Sequence, residues 1–139
     1  MTVVTCTMQH LIKSEDLNHH GTLYAGRASE WFVEAGFIAA AQWLRPDMVY
    51  CRNVHGMTFQ RPAHLGEIAS FTSKAVLAGR TSLVCFIEMK INGVEIVRGF
   101  ITFLNVDAEG RPQPHGLSLV ADTPEDLALQ EEARNLPKN

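Results

Sequence analysis

Apolar and polar positions divide the chain into one helical stretch and a following run of strands. Residues 3–12 mix β-branched and polar side chains, the composition of a first strand. Residues 14–20 read as a polar loop, after which Gly21 is free to take backbone angles that other residues avoid. From about 24 to 44 the period changes: Ala28, Trp31, Ala35 and Ile38 recur at steps of three and four, with Phe32 and Ala39 beside them. This predicts a helix buried nearly all round, whose only charges, Arg27, Glu30 and Glu34, fall on one stripe. Arg45-Pro46 predicts its end, because the residue before a proline disfavours helical angles.

After Pro46 the period is that of strands. Val49, Cys51, Met57 and Phe59 are expected on one core-facing side of a long strand, with His55 in register, and Pro62 stops it. Ala69, Phe71, Ala75 and Leu77 share a face in the next strand, and Leu83 to Ile91 alternate in the one after. Asn92-Gly93 is the strongest short hairpin signal. The strand at 94–106 is apolar on both faces around Phe100 to Leu104, so neither side should meet much water. Residues 107–116 form a turn-rich exit. Thr123-Pro124-Glu125-Asp126 then reads as an N-cap, an N1 proline and an acidic first turn opening a terminal helix. The pattern is α+β: about five antiparallel strands wrapped on one long helix, in a single domain 1–139 with its core at about 3–116 and a C-terminal tail and helix at about 117–139. Such a sheet leaves open edges, which predicts at least a homodimer.

Composition narrows the classes. At 139 residues one domain is expected, and its core is large enough to need no staples. A net charge of −3, with 19% charged residues and no basic run, gives no footprint for nucleic acid. The longest apolar stretch, near 35–41, is too short for a membrane span, and residues 1–9 lack the features of a signal peptide. Cys6, Cys51 and Cys85, odd in number and widely spaced, suit reduced core thiols in the cytoplasm. No metal site is expected, since adjacent His19 and His20 are a poor ligand pair and the other histidines are scattered.

Two places carry candidate chemistry. Residues 18–26 form a glycine-bearing loop that runs into the buried helix, where free N–H groups and a partial positive charge are the ingredients of an oxyanion hole; an ordinary entry turn has the same look. Glu30 and Glu34 lie four apart on that helix, either as a polar stripe or with one held as a general base. Arg80, Thr81 and Ser82, with Arg61, have the donors to meet phosphate oxygens, although the same tetrapeptide from Gly79 also serves as a plain strand-entry turn. His55 and Phe59 are placed to line a pocket or a subunit contact.

Three co-linear blocks spanning roughly 5–115 resemble a known family. Asn18-x-x-Gly21 with Tyr24-Ala25-Gly26 and Glu34-Ala35-Gly36 is similar to the N-x-x-G, F-G-G and acidic helix position of the hotdog-fold acyl-CoA thioesterases. Gly56 to Pro62 with Gly66-Glu67 resembles their F-x-x-P-x-x-x-G-[DE] strand and turn. Gly79-Arg80-Thr81-Ser82, Phe103 to Asp107 and Gly110-Arg111-Pro112 resemble G-x-T-S and the closing V-x-V-D-x-x-G-[KR]-P. The resemblance implies a hotdog fold, a homodimer with sites at its interface, often assembled as a trimer of dimers, and hydrolysis of an acyl-CoA to acid and CoA with no cofactor. It implies that Asn18 orients water or substrate, that N–H groups around Gly26 polarise the thioester carbonyl, and that a helix carboxylate from the other subunit activates water.

One departure stands out. Seven residues beyond the second glycine, where the family has its acid, this chain has Val33; Glu34 lies one place on, about 100° round the helix. Either a one-residue insertion or a π-bulge re-phases the helix and Glu34 serves, or the acid is missing and the chain is a weak enzyme or an acyl-CoA binder. A dehydratase reading would have to use His64, which sits in a turn between strands.

Overall fold

The computed structural model describes residues 1–137; the last two residues of the expected tail lie outside the described ones. Five strands, β1 (Cys6–Leu11), β2 (Val49–Phe59), β3 (Ile68–Ala78), β4 (Ser82–Ile91) and β5 (Val94–Asn105), form one antiparallel sheet in the order β1-β3-β4-β5-β2. Helix α1 (Ala25–Ala40) lies in its concave face and α2 (Pro124–Arg134) lies on the other side. The inner core joins Phe32, Ala35 and Ala39 of α1 to Phe71, Ile87, Ile101 and Phe103 of the strands. Gly36 lets α1 approach closely, because a Cβ there would stand 2.9 Å from Ile101 Cδ1 and 3.1 Å from Phe103 Cζ.

α1 ends at Ala40, four residues before the expected limit. Gln42 and Trp43 donate to Ala39 and Ala40 in tighter turns, and Arg45 is already extended ahead of Pro46. The Asn92-Gly93 hairpin forms as expected, both residues having positive φ, 50° and 78°. Thr123 caps α2, its hydroxyl accepting from the Asp126 N–H at 3.1 Å.

The face assigned to His55 needs correction. β2 changes register against β5 between Cys51 and Asn53 and again between His55 and Thr58, with Gly56 at φ 53°. The first irregularity turns His55 to stand opposite Phe100 on the outer face and the second restores the phase, so Met57 packs on the inner core while Phe59, expected in the core, is exposed. Gly99 belongs to the same feature, since a Cβ there would collide with the Gly56 carbonyl oxygen and lie 3.0 Å from Phe32 Cζ.

The outer face explains the double-sided apolar strand. Val76, Val84, Phe86 and Phe100 are covered by Leu129 and Ala133 of α2. Polar contacts fix its pose: Lys74 Nζ meets Asp126 at 2.6 Å, Arg98 forms a two-pronged pair with Glu132 at 2.9 and 3.1 Å, and Gln130 donates to the Val76 carbonyl.

Candidate functional site

The loop before α1 is built around two side chains. Asn18 Oδ1 accepts from the N–H of His20 at 2.8 Å and of Thr22 at 3.2 Å, while Nδ2 donates to Thr22 Oγ1. One Nδ2 hydrogen therefore remains for a ligand. Asp16, only 4% exposed, accepts from the Lys13 N–H and pairs with Arg27 Nε at 3.1 Å, and its backbone carbonyl accepts from the Tyr24 N–H. Asp16 thus ties the loop to the first turn of α1. Sequence reasoning did not find it, because nothing in the spacing marks a loop carboxylate as the partner of a helix arginine.

Tyr24 is the N-cap of α1 and offers no side-chain cap, and the first intrahelical bond is from Ala28 N–H to the Tyr24 carbonyl. The amides of Ala25, Gly26 and Arg27 therefore have no intrahelical acceptor. The Tyr24 ring lies over Gly26, where a Cβ would meet it at 2.5 Å. Beside this turn a cleft of about 490 Å³ opens, with Asn18, Gln60 and Arg61 among its polar groups and Leu23, Phe59, Met89 and Ile96 among its apolar ones. The structure thus brings Asn18, Phe59 and Arg61 together next to the turn that holds Gly26.

Glu34 is not in this group. α1 is α-helical throughout, without a π-turn, so no π-bulge re-phases it. Glu34 Oε1 lies 3.8 Å from His10 Nε2 on the β1 side, and the His10 ring stacks on Trp31 at 4.3 Å. Ser29, whose hydroxyl is 3.7 Å from Met57 Sδ, marks the stripe of α1 turned to β2, and Val33 follows one turn later on that stripe. No carboxylate lines the cleft among the described residues.

The remaining expected residues meet elsewhere. His55, Arg80, Thr81 and Ser82 line a second pocket on the outer face, of about 620 Å³. His55 Nε2 is 2.7 Å from Thr102 Oγ1, and burial pushes its pKa below the ordinary histidine value. His19 and His20 do not diverge as expected: their rings lie 3.9 Å apart, and among the described residues no group of three or more histidine, cysteine or acidic side chains is gathered as a metal site would require. Cys85 is buried, whereas Cys51 is exposed on the edge strand rather than in the core. Among the described residues no helix is long and apolar enough to cross a membrane.

Comparison with known proteins points one way. The model of the thioesterase superfamily matches residues 20–97. The acyl-CoA thioester hydrolase YciA of Salmonella typhimurium is 26% identical over 116 residues, covering 77% of this chain and 86% of that protein. The acyl-CoA hydrolase of Staphylococcus aureus, solved with butyryl coenzyme A, coenzyme A and coenzyme A disulfide, superposes with a TM-score of 0.83 at 20% identity over 94% of this chain and 79% of that one. A hexameric thioesterase from Yersinia pestis has a TM-score of 0.73 at 22% identity, over 80% of this chain and 94% of that one. The fold is the hotdog fold.

Proposed function

The chain belongs to the thioesterase superfamily, and from that premise we infer that it hydrolyses an acyl-CoA to the free carboxylic acid and CoA. The observation that carries this reading is the first turn of α1, where amides without intrahelical partners border an apolar cleft with Asn18 at its rim. In thioester hydrolysis water bonds to the carbonyl carbon, negative charge grows on the carbonyl oxygen, and the C–S bond breaks to release the thiol. Amides around Gly26 receive the developing oxyanion, a contribution worth about 10²–10³-fold per donor in comparable sites. The remaining hydrogen of Asn18 Nδ2 orients the thioester or the attacking water. The apolar wall takes the acyl group, and no cofactor enters the reaction because CoA is part of the substrate.

Water activation is the step in which this chain departs from the resemblance. With Val33 on the stripe facing β2 and Glu34 beside His10, catalysis rests on the amides and Asn18. We therefore expect modest turnover. Thiol release from a short-chain acyl-CoA should be retained within about three-fold in Glu34→Gln and should rise in Val33→Asp, which supplies a general base of the kind worth about 10²–10⁴-fold. A hundred-fold loss in Glu34→Gln would restore that residue as the base.

A second copy completes the assembly. β2 is an eleven-residue edge strand carrying exposed Tyr50, Val54 and Phe59, and pairing it with a partner's β2 removes both the open edge and this apolar surface. The reading is a homodimer, with a trimer of dimers as the larger form, and a monomeric mass in light scattering would contradict it. The free thiols at Cys6, Cys51 and Cys85 suit the cytoplasm as its compartment.

A further inference from the structure

The first turn of α1 carries a cation, Arg27, and no acidic residue, the reverse of what a helix N-terminus favours. The acid comes instead from the preceding loop. The Asp16 carboxylate is buried, with Oδ1 at 3.1 Å from Arg27 Nε and Oδ2 accepting from the Lys13 N–H at 2.8 Å. The Asp16 carbonyl accepts from the N–H of Tyr24, the N-cap of α1, at 2.9 Å, so this charge stands beside the turn whose amides lack partners. A buried carboxylate placed there works against an oxyanion. Its charge opposes the charge growing on the carbonyl oxygen, and a dry site screens that repulsion poorly. Its oxygens are also good acceptors for the same amides, as a capping carboxylate would be. Both oxygens are engaged elsewhere, one by the Lys13 amide and the other by Arg27.

We propose that Arg27 is a positioning residue for the first turn of α1: it neutralises Asp16 and holds its carboxylate off the amides of Ala25, Gly26 and Arg27, which stay available to the thioester. The inference rests on the thioesterase reading above and names what keeps those amides open. Two other charged groups face the pair. Lys13 Nζ is 4.0 Å from Asp16 Oδ2 and more than half exposed, so it does not replace a guanidinium at 3.1 Å. Glu30, exposed, lies 3.5 Å from Arg27 Nη1 and steadies the guanidinium from the solvent. Among the described residues Asp16 with Arg27 is the only ion pair that joins the loop to α1. Such a pair differs from a plain tie in what its removal does. A tie is lost equally whichever partner goes. Where Arg27 answers the charge of Asp16, removing the arginine alone does the most harm, and removing both restores the turn.

The test is kcat and KM for a short-chain acyl-CoA in Arg27→Gln, Arg27→Lys, Asp16→Asn and the double variant Asp16→Asn/Arg27→Gln, beside the wild-type chain. Arg27→Gln should lose about thirty-fold in kcat with KM within about three-fold, and Arg27→Lys should recover most of that loss. Asp16→Asn and the double variant should both stay within about five-fold of wild type. A double variant as poor as Arg27→Gln, or a loss confined to KM, would overturn the proposal. If Arg27→Gln fails to fold because it strands a buried charge, the double variant decides: activity within about five-fold upholds the pairing and a loss of about thirty-fold overturns it. Titration of the full chains with butyrate, a carboxylate standing in for the oxyanion, is followed by the chemical shift of the Gly26 amide. Butyrate affinity should fall in Arg27→Gln and return in the double variant. That pattern in a chain that cleaves no thioester would uphold the pairing and overturn the thioesterase reading. A wild-type chain that neither shifts nor cleaves would overturn both.

Discussion

The two faces of the sheet are held by different physics. On the inner face α1 is clasped by shape: Phe32, Ala35, Ala39 and Ala40 are at most 1% exposed, and Gly36 and Gly99 remove the side chains that would keep helix and strands apart. On the outer face α2 contributes two buried apolar residues, Leu129 and Ala133, and is then fixed by ion pairs and one glutamine. A tightly packed face positions backbone, which is what amides aimed at a carbonyl oxygen demand. A face held by charges has arginines to present to a ligand.

This contrast can be broken by substitution. Phe32→Ala should cost about 4 kcal/mol and Leu129→Ala about half as much, because a large cavity opens in one core while the small outer cluster can settle; equal losses in chemical denaturation would erase the distinction. Gly99→Ala should cost about 3 kcal/mol, since the added methyl meets the backbone oxygen of Gly56 and not the end of a flexible side chain. Its melting temperature should fall further than that of Gly36→Ala, whose Cβ meets only side-chain ends.

The smallest effect concerns charge. The hydrogen bonds from Arg98 hold the Glu132 carboxyl below its ordinary value of 4.5. That pair therefore stabilises the fold above the unfolded-state value and loses its contribution as pH falls through the lowered one. Because both groups are partly exposed, Glu132→Gln should cost no more than about 1 kcal/mol at pH 7 and should flatten the acid limb of the melting profile below about pH 4.5. An unchanged acid limb would show that the pair contributes nothing.

The same contrast decides what the sequence made legible. α1, the strands, the Asn92-Gly93 turn and the Thr123 cap follow from apolar period, φ requirements and side-chain capping, all of which are local. The face of His55 was misread because two irregularities, between Cys51 and Asn53 and between His55 and Thr58, shift the alternation on either side of it, and such irregularities depend on the partner strand. The role of Glu34 stayed open, because distance along the chain from Gly26 does not give its direction, which is set by helix phase and by His10, 24 residues earlier on β1. Likewise Arg134 was invisible as a partner of Arg80, since only the docking of α2 brings them to one pocket.

The central claim, that Asn18 and the first turn of α1 act on a thioester, is tested most directly by kcat/KM for a short-chain acyl-CoA in Asn18→Asp beside the wild-type chain. The substitution keeps the oxygen that accepts from His20 and Thr22 and removes the nitrogen that donates. The account predicts thiol release by the wild-type chain and a loss of roughly a hundred-fold in the variant, with the melting temperature nearly preserved. Equal or higher activity in Asn18→Asp would contradict it.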